Sequence, residues 1–182
     1  MTTYKRALHI FRRDLRLEDN SALNAALSSA KEVITCFIFS DTQCAPHPYR
    51  SVNGLAFMIE SLEELSKSLE TAGGELLVLA GEPKEVIKEL VTQLDIDAVF
   101  FNIDYTPFSR KRDRTIFDLC AQLSIHCAHY SDALLVEPSE FGKDDGRPYT
   151  VYTPFFKKAS KLPVAKPVGF KPGVLAKSRF KG

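Results

Sequence analysis

Hydrophobic positions along this chain alternate between two patterns. Short continuous apolar runs stand at residues 7–11, 32–39, 76–79, 98–101 and 125–130. Runs of this length predict strands buried on both faces, the mark of a parallel sheet. Between them, apolar residues recur at helical spacing. The sets are Ala22, Leu23, Ala26 and Leu27; Leu55, Met58, Ile59, Leu62, Leu65 and Leu69; Val86, Ile87, Leu90 and Val91; and Ile116, Phe117, Leu119, Cys120 and Leu123. The boundaries carry matching chemistry. Asn20 is placed to cap the first helix, and Gly73-Gly74 to end the second in a left-handed turn. Pro83 and Pro107 each suit the first position of a helix. A turn signal, Asp144-Asp145-Gly146, lies between residues 134–136 and 149–151 and predicts a small irregular ribbon. Five strand–helix units in series, joined by right-handed crossovers, predict an α/β fold: a Rossmann-like doubly wound five-stranded parallel sheet with helices on both faces.

Composition changes this picture little. At 182 residues and 45% hydrophobic content, the chain is one ordinary domain that buries about 70% of its unfolded surface. No apolar run approaches the roughly 18 residues of a membrane span, and the opening Met-Thr-Thr-Tyr-Lys-Arg lacks a signal-peptide apolar region. Cys36, Cys44, Cys120 and Cys127 show no metal-ligand or redox spacing, and Cys36 and Cys120 sit in apolar runs. A reduced, cytoplasmic protein is the expectation.

Charge changes the picture more. The net charge of +1 hides an asymmetry. Residues 157–182 hold eight basic side chains and no acid; taking these from the 24 basic residues leaves 16 against 23 acidic ones, so residues 1–156 carry about −7. With Pro163, Pro167 and Pro172 and little apolar periodicity, the tail reads as an extended linker, and the same residues would suit nucleic acid. The expected division is a domain over residues 1–160 and a basic, proline-containing interdomain linker over 161–182.

Open α/β sheets bind ligands at the carboxyl ends of their strands. The loops there hold residues 12–16, Ser40-Asp41-Thr42, Ala80-Gly81-Glu82 and residues 102–108, with Tyr105 and Phe108 as flat aromatics. Arginines and acids beside aromatics suit a planar heteroaromatic ligand. Ordinary caps and solvated turns account for the same residues equally well. No glycine-rich dinucleotide fingerprint, P-loop or serine elbow is present. His126-Cys127-Ala128-His129 lies on a strand, where alternation points His126 and Cys127 to opposite faces, so no metal site is assigned. His9 and His47 read as structural. No catalytic residue is assigned.

The spelling of several segments is more specific than their spacing. Phe-Arg-Arg-Asp-Leu-Arg-Leu-Glu-Asp-Asn-Ser-Ala-Leu at residues 11–23 resembles the opening signature of the DNA photolyase/cryptochrome family. Asn53, Phe57 and Glu60-Ser61-Leu62 resemble its long second helix, Gly81-Glu82-Pro83 its third-strand turn, and Arg112-Asp113 its fourth-loop pattern. Gly-Arg-Pro-Tyr-Thr-Val-Tyr-Thr-Pro-Phe-Phe at residues 146–156 resembles the segment that closes the domain. The match runs from residue 5 to about residue 160.

The resemblance implies an N-terminal α/β domain that holds an antenna chromophore. A linker and a helical domain would follow, the latter binding catalytic FAD and damaged DNA. In such proteins light drives an electron from reduced flavin to a pyrimidine dimer and splits it. The absence of tryptophan agrees with the family's electron-transfer tryptophans and flavin pocket lying outside this chain. The chain is therefore expected to be the light-harvesting domain of a deoxyribodipyrimidine photolyase, inactive in DNA repair on its own. A cryptochrome-type blue-light photoreceptor and a freestanding nucleotide-binding module are the alternatives. Its partners would be the helical FAD-binding domain and, only through it, damaged DNA; no membrane is implied, and the oligomeric state is open.

A folate antenna in this family uses an Asn-Glu pair where Phe108-Ser109 stand here, which disfavours folate. By resemblance, an FMN, FAD or deazaflavin antenna would contact Arg12, Asp14, Phe39, Asp41, Asn53, Asp104, Thr106 and Phe108. An arginine frequent after the family asparagine is replaced by Gly54, which removes one charged anchor.

Overall fold

The computed structural model describes residues 3–40, 45–46, 51–137, 142 and 146–180. Its elements in chain order are β1 (Tyr4–Phe11), α1 (Ser21–Ser29), β2 (Ala30–Phe39), α2 (Val52–Thr71) and β3 (Leu76–Ala80). There follow α3 (Pro83–Leu94), β4 (Ala98–Asn102), α4 (Pro107–Gln122), β5 (His126–Tyr130) and α5 (Tyr152–Ala159). The five strands form one parallel sheet in the order β3-β2-β1-β4-β5. Strand order reverses between β1 and β4, where Ile10 is level with both Cys36 and Phe101. Loops leaving these two strands diverge and open a crevice there.

Period-two alternation divides the core into two layers. Ala7, Phe11, Val33, Phe37 and Phe100 face α1 and α2, meeting Leu23, Leu27, Leu62, Leu65 and Leu69. Leu8, Ile10, Cys36, Val99 and Phe101 face α3 and α4, meeting Ile87, Leu90, Ile116 and Leu119. The caps match their sequence signals. Asn20 Oδ1 accepts from the Leu23 amide at 3.1 Å. Gly73 takes φ 90°, so that the Gly74 amide donates back to the Leu69 carbonyl at 2.9 Å.

Three differences from the sequence expectations have physical causes. At about 1.5 Å per residue, α2 is roughly 30 Å long and overhangs a five-residue β3 of about 17 Å. Its buried residues are therefore Leu62, Leu65 and Leu69, while Ile59, expected on the core stripe, is 45% exposed.

The expected ribbon is absent: residues 134–136 and 149–151 form no strand, and Asp144 and Asp145 lie outside the described residues. Leu135 and Val151 are 78% and 61% exposed, so a hairpin there would have no core to alternate against. The chain instead enters α5, whose helical period stacks Tyr152 on Phe156 with ring centroids 5.8 Å apart.

The basic tail contains no helix from residue 163 to residue 180, yet it is tied to the domain. Residue pairing along β3 begins only at Thr35, which leaves the outer edge of Val33 open. Leu175 bridges there: the Val33 amide donates to Val174 O and the Ala176 amide to Val33 O, both at 2.8 Å. Leu175 is buried among the α1/α2-side residues. The approach is close enough that a Cβ on Gly74 would lie 2.7 Å from the Leu175 Cβ. Acidic residues of the first loop hold backbone amides of the tail rather than its lysines. Val168 N donates to Asp19 Oδ1 and Phe170 N to Glu18 Oε2, each at 2.8 Å. Among the described residues, no helix is long and apolar enough to cross a membrane.

Candidate functional site

The loop after β1 is built around a buried bracket. Arg12 N donates to Asp14 Oδ1 at 2.8 Å, and Asn102 Nδ2, from the end of β4, donates to Asp14 Oδ2 at 2.5 Å. Asn20 Nδ2 reaches the same Oδ2 at 3.1 Å, and Asn102 Oδ1 accepts from the Ala22 amide at 3.0 Å. Asp132, beyond β5, accepts from the Ser21 amide at 3.0 Å and from Arg16 at 2.9 Å. A charged loop at the switch point is thereby pinned to α1, β4 and the β5 exit. Charge-assisted bonds to backbone and amide donors are the strong kind.

This bracket sets Arg12 over the sheet edge. Its guanidinium lies 3.9 Å from the Phe101 ring centroid. Its Nη1 is 2.7 Å from Asp113 Oδ1 and donates to Asn102 O at 3.3 Å. Burial, reinforced by the like charge of Arg112 and opposed by Asp113, pulls the Arg12 guanidinium down to about 10. A cleft of about 210 Å³ opens beside it, between the ends of β1 and β2 and the starts of α3 and α4. Phe37 and Ile38, Pro83 and Ile87, and Phe108 supply apolar walls, while Arg13, Asp104, Thr106 and Arg112 supply polar ones. Thr106 caps α4, its Oγ1 accepting from the Ser109 amide at 3.1 Å. Ser109 Oγ donates to Asp104 Oδ2 at 2.8 Å. Burial alone would raise the Asp104 carboxyl, but the bonds from Ser109 and the Tyr105 amide, with the charge of Arg13, hold it below the usual carboxylate range. A second, 380 Å³ hollow lies on the other side of Arg12 and includes Asp14, Arg16, Tyr105 and Asp132.

His9 sits one layer deeper. It is fully buried, with its ring edge-on to Phe11 at 4.5 Å, and neither ring nitrogen has a hydrogen-bond partner. Burial, aided by Arg12 and opposed by Asp14 and Asp132, pushes it down to about 4. It is held neutral.

The structure brings four of the residues named from sequence, Arg12, Asp104, Thr106 and Phe108, together around the cleft. Asp14 lines the second hollow, with its carboxylate engaged by the bracket. Phe39 turns to the α1/α2 layer, edge-on to Phe37 at 4.9 Å. Asn53 is exposed in the first turn of α2, and neither it nor Phe39 lines the cleft. Asp41 lies outside the described residues. Sequence reasoning missed Arg112 and Asp113 as site residues. The available signal was a polar interruption of a buried helical stripe: Ser109 and Asp113 occupy it together with Ile116 and Cys120. It also missed Asn102 and Asp132, whose partners are 80 residues or more away in sequence. Among the described residues no group of three or more His, Cys, Asp and Glu side chains could hold a metal ion.

Comparison with known proteins follows the same lines. The sequence profile of the DNA photolyase family matches residues 7–170. A deoxyribodipyrimidine photo-lyase of Synechococcus sp. PCC 6301 is 34% identical over 157 residues, covering 86% of this chain and 32% of that protein. An uncharacterised 31.6 kDa protein of Synechococcus sp. PCC 6716 is 38% identical over 163 residues, 88% of this chain and 57% of its own length. An archaeal photolyase from Sulfolobus tokodaii, solved with two FAD molecules, superposes with a TM-score of 0.87 at 38% identity. That match covers 95% of this chain and 38% of the other. The chain thus spans between about a third and just over half of these relatives.

Proposed function

The chain belongs to the DNA photolyase family, and from that premise we propose that it is a light-harvesting domain. Its switch-point cleft would hold a flavin-type antenna, FMN, FAD or a deazaflavin, that passes excitation to a catalytic FAD on a helical domain. The observation that carries this reading is the cleft itself, where Phe108 and apolar walls flank buried arginine at the carboxyl end of a doubly wound sheet. Such a site fits a flat ring with a polar or charged rim. The residues present fit the group: Arg12 and Arg112 each keep an Nη2 that is buried without a hydrogen-bond partner. The second FAD of the Sulfolobus photolyase supports a flavin in this role.

When bound, the chromophore supplies light absorption and energy transfer; the protein supplies orientation. Arg12 would hold the charged rim, Thr106 and Asp104 the polar edge, and Phe108 the ring face. Asp14 acts through Arg12 as a positioning residue, because its carboxylate fixes the loop that carries that side chain. On this reading the whole protein is a cytoplasmic deoxyribodipyrimidine photolyase that meets damaged DNA through its helical domain. The exposed apolar groove between residues 133–136 and α5, lined by Leu135, Tyr149, Phe155 and Phe156, is the face assigned to that domain. Apolar patches of this kind mark interaction sites.

The test is fluorescence titration of the purified chain with FMN, FAD and a deazaflavin. Saturable quenching that weakens in Arg12→Ala is expected, with no light-dependent dimer splitting by the chain alone. Absence of binding for all three chromophores would overturn the antenna reading. Dimer splitting by the isolated chain would overturn the assignment of catalysis to a separate domain.

A further inference from the structure

Cys120 and Cys127 flank the turn between α4 and β5, seven positions apart, a spacing that marks no redox motif. The turn brings them together. Ser124 takes φ 56°, and around it the Ile125 amide donates to Cys120 O at 3.0 Å and the Ser124 amide to Ala121 O at 3.1 Å. This paired closure is a Schellman motif, with serine in the left-handed place usually held by glycine. It fixes the Cys120 carbonyl against the residue that precedes β5. Alternation along β5 then turns Cys127 to the same side as Ile125, and both pack on the α3/α4-side core that contains Cys120. Cys127 is level with Val99 of that layer. Cys120 is 1% exposed and Cys127 is half-buried. Their thiols share a hydrogen bond, which pulls Cys120 below the ordinary thiol range and, with burial, pushes Cys127 above it. Cys36, by contrast, is fully buried in the sheet, and burial pushes its thiol up to about 12.

We infer that Cys120 and Cys127 form a reversible disulfide, a covalent modification site whose co-reactant is a small-molecule disulfide such as oxidised glutathione. The half-buried Cys127 is the sulfur that such a molecule can reach. Its Sγ, deprotonated, attacks one sulfur of the small disulfide; that S–S bond breaks, and the departing thiolate takes up the Cys127 proton. Cys120 Sγ then attacks Cys127 Sγ in the mixed disulfide, and the second small thiolate leaves with the Cys120 proton. Two protein thiols lose two electrons in all, and one small disulfide becomes two thiols. The raised Cys127 thiol makes the first step the slow one, whereas the lowered Cys120 thiol favours the second. The sulfurs are already in hydrogen-bonding contact, so the movement left is their closure to about 2.05 Å. The bond would fasten β5, at the edge of the sheet, to the end of α4.

The experiment equilibrates the full chain, carrying Cys44→Ser so that one thiol fewer competes, with mixtures of reduced and oxidised glutathione, and then traps free thiols by alkylation. Intact mass and peptide mapping read the product. Trypsin leaves both sulfurs on one peptide, since no Lys or Arg lies between them. Chymotrypsin, cutting after Leu123, yields two peptides that stay joined only through a disulfide. The expected product is lighter by two hydrogens, carries no glutathione, reverts with dithiothreitol, and stands in about tenfold or greater excess over the mixed disulfide, because its closing step is intramolecular. Cys120→Ala should stop at a glutathione adduct on Cys127, and Cys127→Ala should leave Cys120 unmodified; circular dichroism verifies the fold of each variant. A native chain that keeps both thiols at every glutathione ratio, or that accumulates the Cys127 adduct without the internal bond, overturns the proposal. So does a Cys120–Cys127 bond that forms only in urea, since the native turn would then not supply the approach. An adduct on Cys120 in folded Cys127→Ala overturns the assigned order of attack. If Cys120→Ala fails to fold, mapping of the Cys44→Ser chain with and without urea decides the matter.

Discussion

Replacing Asp14 tests whether this residue acts through the frame of the site or at its surface. The carboxylate accepts from Arg12 N at 2.8 Å, Asn20 Nδ2 at 3.1 Å and Asn102 Nδ2 at 2.5 Å. In Asp14→Ala the Arg12 amide loses the acceptor that this bracket provides, a loss of about 1–3 kcal/mol. Asn20 Nδ2 retains the carbonyls of residue 14 and Arg16, and Asn102 Nδ2 retains Asn20 Oδ1. These two donors therefore lose only the net worth of a hydrogen bond, about 0.5–1.5 kcal/mol each. The expected total is about 4 kcal/mol, which for a chain of this size lowers the melting temperature by roughly 8–16 °C. Asp14→Asn should cost nearly as much, because its amide would turn donors toward the donors of Asn20 or Asn102. Urea unfolding followed by circular dichroism measures the difference, with an unchanged m-value confirming that native stability is what moved. A loss below about 1 kcal/mol in Asp14→Ala would refute the bracket. If ligand binding collapsed while stability held, Asp14 would have to face the ligand instead.

Other expectations follow from the same geometry. Burial holds His9 near 4, below its usual 6.5, so its contribution to stability is fully present above about pH 6.5 and is lost as pH falls toward 4. The loss amounts to about 3 kcal/mol. His9→Leu, which removes two unpartnered ring nitrogens, should be no less stable at pH 7 and should lose less between pH 6.5 and 4; equal acid slopes in the two proteins would sink this account. Leu175→Ala should cost about 2–5 kcal/mol, as for other buried leucines, whereas a tail acting only as a loose linker would tolerate it without change in denaturant midpoint. Gly74→Ala should destabilise through collision with the Leu175 side chain, and Leu175→Ala in the same chain should relieve part of that penalty, a coupling that a double-mutant cycle reads directly.

The sheet and its helices were legible in the chain because their signals are local. Continuous apolar runs mark strands buried on both faces, and Asn20, Gly73, Pro83 and Pro107 mark helix ends within a turn of where they occur. The cleft was half legible: Arg12 and Thr106 could be placed at strand ends from topology alone. Asp113 was within reach of the same reasoning, since helical spacing from Ile116 and Cys120 puts it on the buried stripe of α4. That Arg112 joins Arg12 at its carboxylate could not be read, because that meeting is a tertiary contact. Phe39, named by resemblance as a chromophore contact, packs edge-on against Phe37 in the α1/α2 layer, a contact that local periodicity does not show.

The sequence by itself therefore determined the class of fold, the loops that border the crevice and the family to which the chain belongs. Tertiary structure alone decided that Asp14 braces the first loop, that Leu175 fills the open edge beside Val33, and that two arginines meet over one carboxylate. The physical reason is range: helix and strand periodicity is written within a few residues, whereas Asn102 reaches Asp14 across 88 positions. Burial, rather than residue identity, then fixes what those charges cost and what they can hold.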